Sequence, residues 1–493
     1  MYKVGFDNQK YLSMQSERIR ERIGEFGGKL YLEFGGKLFD DYHASRVLPG
    51  FQPDSKLQML LQLKDEAEIV LVISAEDIDK EKVRGDLGIT YDDDAFRLIR
   101  EFTGIGLMVG SVVLTKYTPS EKVENFERRL KNMGYPVYHH FLIDGYPSNI
   151  SKIVSDEGYG KNDYIKTSRK LVVITAPGPG SGKMATCLSQ LYHEHKRGIK
   201  AGYAKFETFP IWNIPLKHPV NIAYEAATAD LSDVNMIDPW HLEAYGKTTV
   251  NYNRDVEIFP VLKATFDSIY GECPYKSPTD MGVNMAGNCI IDDEACKEAS
   301  KQEIIRRYFN TLCASINNPK KEAELYQIEI LMNQAGISTN DRKCVAPARK
   351  IAEKTGAPAA AIELPDGTII TGKTSPLLGC TSAALLNALK FLAGIDDEIL
   401  LISPEVIKPV QELKVGYLGN RNPRLHTDET LLALSISAVT DETAKKALSA
   451  LKSLKNSEIH TSVVLAEVDN NVLKKLGVHI TSDTKVKKGK IKG

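Results

Sequence analysis

Six short apolar runs, separated by segments with helical periodicity, dominate the first 210 residues of the chain. The runs are KLYLEF (29–34), EIVLVIS (68–74), GSVVLTK (110–116), YPVYHHFLI (135–143), KLVVITA (170–176) and AGYAKFETF (201–209). Several are continuously apolar, which is typical of strands covered on both faces of a sheet. Strands that alternate with helices predict an α/β domain over residues 1–235, built on a doubly wound, mainly parallel sheet.

The clearest helix signal in this region is TPSE at residues 118–121. Thr118 would be the N-cap, Pro119 the first helical residue and Glu121 the second half of a capping box. Gly134 suits the end of this helix because glycine adopts the left-handed conformation that often follows a last turn.

Two further regions follow the α/β domain. Residues 236–345 carry apolar residues at helical spacing and predict a mainly helical middle domain. Residues 346–493 contain a hairpin pattern followed by a strongly apolar helix, which predicts a smaller C-terminal α/β domain. Its layout resembles the cytidine-deaminase-like fold, but it lacks the zinc ligands, since Cys380 stands alone and no H-x-E motif precedes it within this domain.

A Gly-rich stretch, APGPGSGKM (176–184), joins the fifth apolar run to a predicted helix. Backbone N–H groups in such a turn, together with the positive end of the helix, bind anions, and a lysine adds charge near a phosphate. The candidate phosphate-binding residues are Gly178, Gly180, Ser181, Gly182 and Lys183.

The stretch departs twice from a phosphate-binding loop of the usual pattern. Pro177 replaces the first glycine, and Met184 replaces the Ser or Thr that would bind magnesium. Met184 instead falls on one helical face with Cys187 and Leu191, which explains an apolar residue at this position. Two interpretations of the stretch are therefore possible: a modified anion-binding loop, or a turn with a purely structural role. The helix ends in HEHKRG (193–198), where both histidines are expected at the surface.

Other polar residues follow predicted strands at the same edge of the sheet. Gly35, Gly36 and Lys37 come after the first run, and Asp144 follows the fourth. In open α/β sheets ligands bind outside the carboxyl ends of the strands, so Lys37 would hold negative charge and Asp144 would bind a metal or act as a base. Each also has a simpler explanation as a turn or cap residue.

The segment VNMIDPWHLEAYGK (234–247) lies where the α/β pattern gives way to helices. Asp238 and His241 could form an acid/base pair in a cleft at this junction. A helix capped by Asp238 explains the same residues about as well.

The composition narrows the class of protein. A formal net charge of −1 over 493 residues gives no reason to expect nucleic acid or an anionic membrane as a partner. Seven dispersed cysteines, with no secretory signal and no run long enough to cross a membrane, favour a cytoplasmic protein with reduced thiols.

The whole chain resembles an uncharacterised family of bacterial proteins of about this length, a domain-of-unknown-function family with a degenerate P-loop-like segment. The stretches that carry the resemblance are VVITAPGPGSGKMATCLSQLYHEHKRG, AKFETFPIWNIPLKHPVNIAYEAATADL and YKSPTDMGVNMAG. It implies a multidomain cytoplasmic bacterial protein and supplies no reaction and no catalytic residues.

Taken together, these features predict a protein that binds a nucleotide, such as ATP, or another phosphorylated small molecule, with magnesium doubtful. As an enzyme it would transfer a phosphoryl or nucleotidyl group. The alternatives are a non-catalytic protein that senses a metabolite and a scaffold whose loop binds nothing. A homo-oligomer is compatible with each.

Overall fold

The computed structural model describes residues 3–35, 38–39, 41–84 and 87–484. The chain divides into two compact units. One comprises Val4–Ala299, and the other comprises Ser300–Gly493 together with Met1–Lys3. The three domains predicted above, 1–235, 236–345 and 346–493, remain a proposal beside this division.

The larger unit is built on a sheet of seven parallel strands, accompanied by two small two-stranded sheets. Its strands are β1 (Leu30–Phe34), β2 (Ala67–Ser74), β3 (Val83–Arg84), β4 (Ile89–Thr90), β5 (Met108–Thr115), β6 (Val137–His139), β7 (Leu171–Thr175), β8 (Gly202–Phe206), β9 (Asn235–Ile237), β10 (Val250–Tyr252) and β11 (Gly282–Val283). The order in the main sheet is β11-β8-β1-β7-β2-β5-β6.

Helices connect these strands and cover the sheet. They are α1 (Asn8–Glu25), α2 (Tyr42–Val47), α3 (Ser55–Gln62), α4 (Ala75–Asp79), α5 (Tyr91–Gly104), α6 (Glu121–Asn132), α7 (Ile150–Ile153), α8 (Lys183–Lys196), α9 (Pro219–Ala227), α10 (Pro239–Tyr245), α11 (Asn253–Tyr270), α12 (Pro278–Met281) and α13 (Asp293–Ser315), the last of which continues into the second unit. All eight residues of β2 are buried, as expected for a strand covered on both faces.

The predicted α/β class with a parallel sheet is confirmed, and three local details differ. The strand expected at 135–143 is limited to Val137–His139. The helix expected after Thr118 is capped by Ser120, whose side chain accepts a hydrogen bond from the backbone N–H of Val123. Within the stretch predicted to be helical, β11 pairs with β8 and extends the main sheet.

The main core lies between one face of this sheet and the helices α8 and α11. Tyr31, Val172 and Tyr203 from the strands pack there with Cys187 of α8 and Phe259 of α11. The helix α8 therefore runs over β1, β7 and β8, and its first turn lies at the carboxyl ends of these strands.

The smaller unit has its own mixed sheet. Its strands are β12 (Ala359–Glu363), β13 (Ile369–Lys373), β14 (Glu458–Thr461) and β15 (His479–Ser482), in the order β13-β12-β14-β15. Its helices are α14 (Lys321–Ala335), α15 (Val345–Thr355), α16 (Cys380–Ala393), α17 (Pro404–Glu412), α18 (Thr427–Ser437), α19 (Glu442–Ser449) and α20 (Glu467–Lys475). The predicted hairpin is β12–β13, and the apolar helix that follows it is α16.

No helix within the described part of the chain is both long enough and apolar enough to cross a membrane.

Candidate functional site

The strand order changes direction between β1 and β7. The connection after β1 leads past β7 to β2, whereas the connection after β7 leads past β1 to β8. In open parallel sheets a crevice forms at such a point, because the two connections leave on opposite sides, and ligands bind in it. The loop that follows β7 is the Gly-rich stretch, so the sequence motif lies beside this crevice.

The conformation of the loop depends on two of its glycines. Gly180 and Gly182 have φ angles of 76° and 89°, and Gly182 is the N-cap of α8. A residue with a side chain is disfavoured there by about 1–2 kcal/mol. No side chain of the described residues caps α8, so the N–H groups of its first turn remain open to a ligand.

Two hydrogen bonds fix the loop, one between the loop and the sheet and one within the loop. Thr115, at the end of β5, donates its hydroxyl to the carbonyl of Ser181 at 2.6 Å, and the Ser181 hydroxyl donates to the carbonyl of Gly178 at 2.7 Å. Because a peptide unit is planar and trans, a Ser181 carbonyl directed at Thr115 turns the N–H of Gly182 the opposite way. This N–H therefore points away from the end of β5.

Tyr91 covers the first part of the loop. A methyl group added to Gly178 would lie 2.5 Å from Cζ and 2.7 Å from Cε2 of the Tyr91 ring, well inside van der Waals contact. Tyr91 is itself buried. Gly178 is thus required by the close approach of a side chain, whereas Gly180 and Gly182 are required by their backbone angles.

The first turn of α8 combines core and polar side chains. Met184 packs against the main core with Cys187 and Leu191, as the helical periodicity predicts. Thr186 is fully buried, and its hydroxyl has no hydrogen-bond partner among the described residues. The same holds for the hydroxyl of Ser74 at the end of β2, the strand beside β7.

One of the two histidines in this helix contradicts the sequence prediction. His193 is buried, and its ring lies 2.8 Å from the carbonyl of Asn162. His195 is exposed as expected.

A second group of residues, charged and buried, lies at the carboxyl end of β8, which is separated by β1 from the strand β7 that leads into the loop. The ammonium of Lys205 binds the carboxylate of Asp255 and the hydroxyl of Tyr252, and it lies 3.2 Å from Glu207. On β1, Glu33 accepts a hydrogen bond of 2.7 Å from the hydroxyl of Tyr203. We call Glu33, Lys205, Glu207 and Asp255 the Lys205 cluster.

Burial and charge act against each other within this cluster. Burial alone would lower the pKa of Lys205, but the carboxylate of Asp255 and its other neighbours raise that pKa well above its ordinary value. Glu207 behaves differently, because burial and the charge of Asp255 outweigh Lys205 and raise its pKa to about 8. At neutral pH the lysine is therefore charged and Glu207 holds a proton.

Glu207 also has an unused atom. Its Oε2 is buried without a hydrogen-bond partner among the described residues. The Cα of Gly282 in β11 and the ring of Trp212 lie beside it.

The loop and the cluster lie on the same side of the sheet. Glu33 follows Tyr31 by two residues on β1, so its side chain lies on the face that packs against α8, the helix that begins with Lys183. On that face burial raises the pKa of the Cys187 thiol well above its ordinary value; the charge of Glu33 raises it further, and that of Lys183 lowers it.

The other residues predicted at this edge have different environments. Gly35 follows the end of β1 directly, and a methyl group added to it would meet no atom of the described residues within 4 Å. Gly36 and Lys37 lie outside the described residues. Asp144 is exposed and pairs with Lys152 at 2.9 Å, a contact that lowers the pKa of its carboxyl.

Asp238 caps the helix α10. One carboxylate oxygen accepts the backbone N–H of His241 at 3.0 Å, and the other accepts the N–H and the hydroxyl of Thr279. The His241 ring instead lies 2.9 Å from the hydroxyl of Ser277. The contact between the predicted pair is thus a backbone cap, and the described contacts join neither residue to the loop.

No group of three or more His, Cys, Asp or Glu side chains in the described part of the chain is arranged to hold a metal ion. The chemistry that the arrangement offers is anion binding at the loop and proton transfer at Glu207.

The Lys205 cluster was not predicted from the sequence. The signal that could have revealed it is the alternation in AKFETF, which places Lys205 and Glu207 on the same face of an otherwise apolar strand and its continuation.

Comparison with known proteins identifies relatives over the full length. Residues 4–336 match a family model described as domain of unknown function DUF1846, N-terminal, and residues 340–491 match the corresponding C-terminal model. A UPF0371 protein of Corynebacterium aurimucosum is 59% identical over 97% of both chains. One of Streptococcus thermophilus is 57% identical over 98% of both chains. The resemblance predicted from the sequence is confirmed, and these descriptions name no ligand and no reaction.

Proposed function

The chain belongs to the DUF1846 family, and we propose that it binds a nucleotide or another phosphorylated small molecule at the loop between β7 and α8. The observation that carries this proposal is the uncapped first turn of α8, opened by Gly182 at the switch in strand order. A phosphate there would accept hydrogen bonds from backbone N–H groups and gain from the positive end of the helix. Lys183, the first residue of α8, would supply a neutralising charge.

The unpartnered hydroxyls of Thr186 and Ser74 support a polar ligand rather than an empty turn. Buried hydroxyls are nearly always hydrogen-bonded, since leaving one without a partner costs about 1–3 kcal/mol. Both belong to elements that adjoin the loop. To satisfy them, a phosphate at the loop or a water beside it would have to enter these closed positions.

The Lys205 cluster sets the expected size of the ligand. The strands β7 and β8 are separated by β1, so their ends lie roughly 10 Å apart at a strand spacing of about 4.8 Å. A phosphate ester with its phosphate at the loop and a hydroxylated or basic end at the cluster would span this distance. Sugar phosphates and nucleotides have this size and polarity.

Isothermal titration tests the binding proposal directly. Inorganic phosphate, ATP, GTP and glucose 6-phosphate are titrated with and without magnesium into the intact chain and into Lys183→Ala. We expect at least one of these ligands to bind, and the variant to bind it about 10- to 100-fold more weakly, the effect of losing a charge-assisted hydrogen bond of about 1.5–3 kcal/mol.

The matched control is Lys321→Ala, which removes the first lysine of another helix, α14. Its affinity should equal that of the unaltered protein. If no ligand binds, or if Lys183→Ala binds as tightly as the control, the loop is not the site.

A second candidate, phosphoryl or nucleotidyl transfer, is favoured by Glu207. A carboxyl with a pKa of about 8 is suited to exchange a proton at neutral pH with a ligand oxygen at the cluster, and transfer requires the attacking or leaving oxygen to lie at that end. Release of phosphate or pyrophosphate from bound nucleotide is the assay. Transfer predicts that Glu207→Gln loses turnover and keeps binding, whereas binding without any product favours the metabolite sensor.

A further inference from the structure

One side of α8 is buried although its side chains are polar. The residues on this side are Ser189, Gln190, His193 and Glu194. All four make hydrogen bonds to residues 162–165, the segment that covers this side of the helix. Because water from outside cannot reach these side chains, each polar atom on them needs a partner within the protein.

The side-chain amide of Gln190 uses only one of its two ends. Its Oε1 accepts the backbone N–H of Ile165 at 3.1 Å, and this contact fixes the orientation of the amide, because only the oxygen can accept. Nε2 therefore carries the two donor hydrogens. It is buried and has no hydrogen-bond partner among the described residues.

The carboxylate of Glu194 is used unevenly. Its Oε1 accepts a hydrogen bond of 2.6 Å from the hydroxyl of Tyr31 and also binds the ammonium of Lys29. Its Oε2 is buried and meets no donor in the described part of the chain. Glu194 follows Gln190 by four residues, so the two side chains are neighbours on the helix.

A third buried atom without a partner comes from the covering segment. It is the hydroxyl of Thr167, two residues beyond the N–H that Gln190 accepts. The structure therefore has a donor, an acceptor and a hydroxyl, all buried and all unpaired within the described residues, where α8 meets this segment.

We propose that one ordered water molecule binds between Nε2 of Gln190 and Oε2 of Glu194, with the hydroxyl of Thr167 as its third partner. An amide N–H only donates and a carboxylate oxygen only accepts, so the bound species must accept one hydrogen bond and donate another. Water does both. A metal ion cannot accept from the amide, and an anion would be repelled by the carboxylate.

The water would join α8 to the segment that covers it. Buried waters typically make about three hydrogen bonds to polar groups that lack other partners, which matches this site. Since all three atoms are closed to solvent, the water can leave only when the segment opens, and it should therefore be long-lived. This inference does not depend on phosphate binding at the other end of α8.

A high-resolution crystal structure of the full chain tests the proposal. We expect one density peak at about 2.7–3.2 Å from both Nε2 of Gln190 and Oε2 of Glu194. In Gln190→Met a methyl group stands where the donor was, so the peak should be lost. The control is Gln58→Met, which removes an amide of α3 that already has two partners, and the peak should remain there.

Oxygen-17 magnetic relaxation dispersion checks the same water in solution. The unaltered protein and Gln58→Met should each hold one more long-lived water than Gln190→Met. A crystal structure in which Gln190 bonds directly to Glu194 with no peak between them would overturn the proposal, and this test needs no variant. A peak surrounded by six or more oxygens at about 2.3–2.6 Å, which marks a cation, or a peak unchanged in Gln190→Met would do the same.

Discussion

Replacing Gly178 by alanine would place a methyl group against the buried ring of Tyr91. The new Cβ would lie 2.5 Å from Cζ of that ring, whereas ordinary contact begins at 3.4 Å. Either the ring or the loop must therefore move by about 1 Å. Tyr91 is only 6% exposed and has little room to withdraw.

The expected cost follows from overpacking. Forcing a methyl group into a closely packed site costs typically about 1–3 kcal/mol, so Gly178→Ala should lower the free energy of unfolding by about 2 kcal/mol. If Tyr91 is the cause, truncating it to alanine relieves the clash. The double variant should then be more stable than the sum of the two single effects by about 1–3 kcal/mol.

Urea unfolding followed by tryptophan fluorescence is a suitable assay, because both tryptophans of the chain, Trp212 and Trp240, lie in the larger unit. The control is Gly35→Ala, where the added methyl group meets no described atom within 4 Å. Equal stabilities for Gly178→Ala and Gly35→Ala, or strictly additive effects with Tyr91→Ala, would refute the packing that we describe around the loop.

Three further predictions concern buried polar groups. The folded state raises the pKa of Glu207 to about 8, so between about pH 5 and 8 the native state keeps a proton that the unfolded chain releases. The free energy of unfolding should therefore fall as the pH rises over this range. In Glu207→Gln the urea midpoint should change less with pH over the same range. Asp238→Ala removes the cap of α10 and the acceptor of the Thr279 hydroxyl, so the free energy of unfolding should fall by about 3 kcal/mol. Urea unfolding followed by fluorescence measures this, and a fall of less than about 1 kcal/mol would contradict the capping role. Arg342→Met removes one of the two arginines that pair with Glu458, leaving Arg306, and takes the donor away from the carbonyls of Ile459 and His479, so thermal unfolding of the smaller unit followed by hydrogen exchange should show a loss of about 3 kcal/mol, and an unchanged midpoint would contradict it.

The main sheet could be predicted from the sequence because its strands are covered on both faces and read as continuous apolar runs. β2 is the clearest case, with all eight residues buried. Short edge strands lack this signal. β11 has only two residues and is defined by its pairing with β8, a contact across more than 70 residues of sequence that no local pattern reports.

Local sequence patterns gave wrong predictions for the capping residue of α6 and for the exposure of His193. TPSE offers two capping residues, and Ser120 is the one that binds the N–H three residues on, so the helix begins later than Thr118 suggested. His193 was expected at the surface because it lies in a polar stretch, but the carbonyl of Asn162 provides a buried partner for its ring.

Only part of the candidate site could be predicted from the sequence. The Gly-rich loop follows its strand directly, so its position at the sheet edge could be inferred. The Lys205 cluster also requires Asp255, which lies on helix α11, 50 residues further along the chain than Lys205. A lone lysine in a strand does not reveal that partner.

A crystal structure of the chain grown with ATP would show whether the loop between β7 and α8 holds a phosphate. We expect phosphate oxygens within hydrogen-bond distance of the N–H groups of Gly182 and Lys183, with the rest of the ligand extending over the end of β1 toward Lys205. ATP bound at another surface, with nothing held by the first turn of α8, would contradict it.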